Sequence, residues 1–162
     1  MTDLKSTIAS DLSARYTKLA GVLRELGAPL SDDQFWSKAF GFGNSFGHLV
    51  LHLTGNLNYY IGAQIAGTGY VRDRPLEFSE TTRPCKAKVF SELDKAIEMV
   101  LATIGSQTEE DWSREYAAVG ADARDRFGMI LNCVTHLHHH IGQMMYMNFE
   151  VKRVKNQGHE ER

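Results

Sequence analysis

At 162 residues, with 43% apolar and 23% charged residues, the chain is long enough to bury the core of one domain without disulfide or metal staples. A net charge of -2, from 18 basic and 20 acidic side chains with no basic block, argues against nucleic-acid binding through phosphate neutralisation. No apolar run of about 18 residues exists to span a bilayer, no apolar leader core opens the chain, and Cys85 and Cys133 are the only cysteines, so a cytoplasmic protein without a disulfide framework is expected.

Apolar residues at Leu4, Ile8, Leu12, Tyr16, Leu19, Leu23 and Leu26 recur with a helical period, and Gly27 and Pro29 stop the helix they define. Ser31-Asp-Asp-Gln34 reads as a capping box opening a short turn that ends near Trp36, and Phe40-Gly-Phe-Gly-Asn44 reads as a loop. A second helix is expected from Ser45 to about Ala66, closed by Gly67 and Gly69. The stretch Thr68 to Pro84 has no clear period and reads as a long crossover. A third helix, about Lys86 to Ile104, places Val89, Phe90, Leu93, Ile97, Val100, Leu101 and Ile104 on one face. Thr108 is expected to cap a short turn ending at Trp112, and Tyr116 to Asp122 to form a loop or short extended piece. The last helix is predicted from about Arg126 to Glu150, and residues 151–162 form a polar tail that frays and carries His159. Residues 1–150 thus read as a single all-α domain, a four-helix bundle with one long crossover connection.

The last helix is unusual in having two apolar stripes. Phe127, Leu131, Val134, His138, Ile141 and Met145 form one, and Met129, Cys133, His136, His140, Gln143 and Met147 lie roughly opposite. A helix in a monomeric bundle needs only one buried stripe, so the second is expected to meet another copy of the chain in a homodimer; the alternative is that loops 68–84 and 113–125 cover it.

Six of the seven histidines fall in two short segments, His48-Leu-Val-Leu-His52 and His136-Leu-His-His-His140. Spacing of i to i+4 puts two imidazoles on one helical face, one turn apart, where they can chelate a transition metal, and a third imidazole from another helix completes the set. Three neutral imidazoles leave coordination positions open for water or substrate, as in a catalytic zinc site. Asn56 shares the arc of His48 and His52, and Gln143 that of His136 and His140, so both are expected to hydrogen-bond the ligands or orient a bound molecule. Spacing does not choose between His48 and His52. His138 belongs to the opposite stripe, and His139 is expected to face solvent.

Other chemistry reads as weaker. Cys133 lies one turn before His136 on the same face, but a small cysteine packed in the core is the simpler reading. Glu77 and Glu80 in the crossover are candidate general bases, yet nothing in the sequence pairs them, and a solvated loop is expected.

Three segments together resemble the DinB/YfiT-like superfamily of metal-binding four-helix bundles. They are Asn44-Ser-Phe-Gly-His-Leu-Val-Leu-His52-Leu-Thr-Gly-Asn56, Arg72-Asp-Arg-Pro-Leu-Glu77-Phe78, and His136-Leu-His-His-His140-Ile-Gly-Gln143, the last matching His-x-x-x-His-x-Gly-Gln. The resemblance implies a long crossover after the second helix, a dimer, and a divalent metal, zinc or nickel, held by His52, His136 and His140. It moves His48 to a supporting or packing role. It also implies a small-molecule substrate and either a metal-dependent transferase using a low-molecular-weight thiol, a metal-dependent hydrolase, or a metal-binding stress protein without turnover.

Overall fold

The structure is a computed structural model; it describes residues 3–160, with side chains through Arg153. Among the described residues seven α-helices follow one another: α1 (Leu4–Gly27), α2 (Asp32–Trp36), α3 (Phe46–Leu57), α4 (Arg74–Ser79), α5 (Lys86–Ser106), α6 (Glu109–Ser113) and α7 (Arg126–Glu160). The four long ones form the bundle. Helix α1 packs on α5 and α7, and α3 packs on the same two from the other side. The apolar period of α1 buries Leu12, Tyr16, Leu19 and Leu23, and the Tyr16 hydroxyl donates to the Ile130 carbonyl at 2.7 Å, tying α1 to α7.

Local capping chemistry sets where the elements begin. Ser31 and Thr108 open α2 and α6 with the expected side-chain caps, each reciprocated from the third helical residue. Ser45 opens α3 in the same manner, with His48 as the reciprocating residue. The segment read as a bare crossover contains α4, because Asp73 Oδ1 accepts from the Leu76 amide at 3.1 Å and Pro75 suits the first turn. Helix α4 lies against α3.

Two boundaries differ from the periodicity reading. The helix expected to run evenly to Ala66 changes at Asn58–Ala63 into a wider π-helical turn. The turn leaves the Tyr60 carbonyl to accept from the Tyr116 hydroxyl at 2.8 Å, a long-range partner invisible to local pattern. Helix α7 runs on to Glu160, ten residues beyond Glu150, so the polar segment read as a frayed tail continues the helix; its side chains past Arg153, including His159, lie outside the described residues. No helix among the described residues is long and apolar enough to cross a membrane.

The two-stripe reading of α7 is corrected in part. Val134 and Ile141 are buried in the chain's own core, while Phe127, Leu131 and Met145 are exposed. His138 is exposed as well.

Candidate metal centre

His52 projects from the middle of α3, and His136 and His140 from successive turns of α7, where the two helices face each other. One ligand atom from each lies within 4.8 Å of the others. Nε2 of His136 stands 3.3 Å from Nε2 of His52 and 3.1 Å from Nε2 of His140. Two nitrogens bound to one tetrahedral zinc at about 2.0–2.1 Å would stand about 3.3–3.4 Å apart, so the spacing already present suits a shared ion.

The outer nitrogens decide which lone pairs point inward. Arg72 donates from Nε to Glu77 Oε1 at 2.6 Å and from Nη2 to Oε2 at 2.9 Å. His52 Nδ1 lies 2.8 Å from Glu77 Oε2, and because a carboxylate only accepts, the ring donates there and its Nε2 lone pair is left facing the centre. His140 Nδ1 likewise donates to Gln143 Oε1 at 2.7 Å, and Gln143 Nε2 donates to His139 at 3.2 Å. His136 Nδ1 is buried without a hydrogen-bond partner among the described residues.

That pattern cannot be satisfied by protons alone. With the His136 proton on Nδ1, a buried N–H is orphaned and three lone pairs converge. With the proton on Nε2, it serves one neighbour and leaves the other unpaired. A single cation accepts from all three rings at once, and the residues therefore fit a divalent metal.

The titration behaviour fits ligands that bind without first losing a proton. Burial, reinforced by the neighbouring rings His140 and His52 and by Arg72, lowers His136 to about 4. Burial also lowers His140, against the opposing hydrogen bond to Gln143. Burial pushes the Glu77 carboxyl up, but the hydrogen bonds from His52 and Arg72 outweigh it and leave it below its ordinary value.

Glu77 is the residue the sequence reading misplaced. It is 6% exposed and paired on both oxygens, not a solvated loop acid. Its signal lay in the quoted Arg72-to-Phe78 segment, but no local rule predicts that a carboxylate of an aperiodic crossover swings under a distant helix. Phe78 adds its ring against His52, with centroids 4.9 Å apart. Glu80 keeps a local role, accepting from the Thr82 amide and hydroxyl.

His48 stays out of the cluster. Its Nδ1 pairs with Ser45 Oγ at 2.8 Å, its Nε2 reaches the Glu80 carbonyl at 3.3 Å, and its ring meets Trp36 edge-on. It is a capping and packing residue. Gln143 holds His140, as described. Asn56 is buried one turn beyond His52, with Oδ1 unpartnered among the described residues, and does not bond a ligand ring.

A cleft of about 300 Å³ opens beside the cluster, with His52, His136 and Asn56 on its wall together with Arg74, Asp122 and Cys133. Cys133 is buried, and burial pushes its thiol up to about 12.

A family model, the DinB superfamily, matches residues 15–144. No curated protein matches the chain. The match covers well over half of the sequence, and the chain belongs to the DinB superfamily.

Proposed function

We propose that the protein binds one divalent metal ion, zinc or nickel, through His52, His136 and His140, and uses it as a transferase acting with a low-molecular-weight thiol. The observation that carries this reading is the convergence of three imidazole nitrogens with no donor to share among them, beside an open cleft. Three histidine ligands leave coordination positions free for molecules entering from that cleft. A bound ion would supply Lewis acidity, lowering the pKa of a thiol or a water that reaches it.

The chain's own residues set the rest. Cys133 faces the cleft, but a thiol raised to about 12 stays protonated near neutral pH and is a poor nucleophile, so the reactive sulfur is expected from a small molecule. Asn56 offers an amide, and Arg74 and Asp122 offer opposite charges, with which to orient a small polar substrate. Conjugation of a thiol to a model electrophile tests the reading: the rate should vanish on chelation and return with zinc or nickel. Amide hydrolysis without thiol would put a metal-dependent hydrolase in its place. Loss of both activities across a broad panel would leave a metal-binding protein without turnover.

A homodimer is the second part of the proposal. Phe127 and Leu131 of α7, with Leu4 and Ile8 of α1, border an open groove of about 650 Å³, and an apolar face of this kind suits a self-complementary contact.

A further inference from the structure

Glycine in the middle of a helix is costly, and Gly55, one turn after His52 in α3, is such a residue. Its lack of a side chain has a specific consequence. A Cβ at position 55 would lie 2.1 Å from Glu77 Oε1 and 2.9 Å from Glu77 Cδ, so the carboxylate occupies the seat that the missing side chain leaves. From there its other oxygen meets His52 Nδ1 at 2.8 Å, while Arg72 bonds both oxygens. The Glu77 side chain is 7% exposed and that of Arg72 9%.

We propose that Gly55, Glu77 and Arg72 form a positioning device for His52: the glycine admits the carboxylate, the arginine anchors it, and the carboxylate holds the His52 ring with its Nε2 lone pair turned toward His136 and His140. The inference rests on the three-histidine metal reading for its effect on affinity, but its effect on the ring stands without metal. An imidazole fixed by an outer carboxylate is oriented before the ion arrives and is a more basic ligand, and loss of such a partner typically weakens metal binding about 10–100-fold. The device also joins the crossover to α3, since two of its three members belong to the segment that carries α4. Neither member stands near His52 in sequence, so the histidine's environment depends on how the crossover folds back.

The geometry supplies a variant that separates positioning from folding. The atom a Cβ would strike is the far end of a flexible side chain, so Gly55→Ala can be accommodated by moving the carboxylate, and alanine favours the helix. Zinc affinity of the full chain is measured by chelator competition for wild type, Gly55→Ala and Glu77→Gln, and the His52 tautomer by 15N NMR of metal-free protein. Wild type is expected to carry the His52 proton on Nδ1. Gly55→Ala is expected to lose that preference and to bind zinc about 10–100-fold more weakly while still unfolding cooperatively as a folded chain. Glu77→Gln, which keeps the shape and removes the charge, should weaken zinc binding in the same direction. Wild-type affinity in both variants, or a wild-type His52 protonated on Nε2, overturns the proposal. Wild-type protein that binds no zinc, yet shows a Gly55-dependent Nδ1 proton on His52, refutes the metal reading and leaves the positioning device standing.

Discussion

The three clustered histidines and the nearby His48 sit in different surroundings, and that difference predicts different outcomes on truncation. His140→Ala removes one of three converging nitrogens and should lose most of the bound metal, whereas His48→Ala removes a cap and an edge contact with Trp36 and should keep it. Metal analysis of the two purified variants separates these roles. Acid provides a second check on the same residues. Burial holds His136 at about 4 and lowers His140, so in metal-free protein the folded state binds protons less readily than the unfolded chain, whose histidines titrate near 6.5. The unfolded state then takes up more protons as pH falls, and the stability these residues allow is present above about 6.5 and lost toward about 4. Glu77, lowered from its ordinary value, acts in the same direction at the acid end. Urea midpoints in the presence of chelator should therefore decline across that window, and more steeply in wild type than in His136→Ala. The i to i+4 spacing made the histidine pairs readable from sequence, because helical geometry alone puts such rings on one face. Glu77 was not readable, because its partner lies 25 residues away and the crossover has no period to place it.

Helix α3 shows how capping and chemistry share a few residues. Ser45 Oγ accepts from the His48 amide at 3.1 Å and pairs with its ring, starting the helix about two turns before the His52 ligand candidate. Ser45→Ala should cost about 1 kcal/mol of stability, read by denaturant unfolding, while the three-histidine cluster keeps its metal. A loss of metal equal to that of His140→Ala would mean that His48 or the helix start belongs to the site. The caps at Ser31 and Thr108 could be read directly, since a serine or threonine reciprocated by a polar residue three positions on is a local rule. The π-helical turn at Asn58–Ala63 could not, because it goes with the distant Tyr116 hydroxyl and leaves no mark in the local apolar pattern. Helix α4 fell between these cases: Asp73 and Pro75 are helix-start signals, but the segment between Thr68 and Pro84 is too polar and short for a period to confirm them.

At the scale of the whole molecule, the bundle's topology brings α3 and α7 face to face and leaves part of α7 outside. The periodic stretches sufficed to read an all-α bundle, because each long helix buries one stripe regardless of the connections. They could not say which α7 residues stay uncovered: Val134 and Ile141 turn into the core, while Phe127 and Leu131 border the groove with α1. The proposed homodimer should run in scattering-detected chromatography at twice the chain mass of 18.2 kDa, and Leu131→Asp should shift it toward the single-chain value. A single-chain mass for the wild type at micromolar concentration would reject the dimer. Elemental analysis of protein purified without a histidine tag tests the shared ion between α3 and α7 most directly. One divalent ion per chain is predicted, lost by chelation and by His140→Ala. A metal-free wild type that takes up neither zinc nor nickel, or a His140→Ala variant with full metal content, would contradict it.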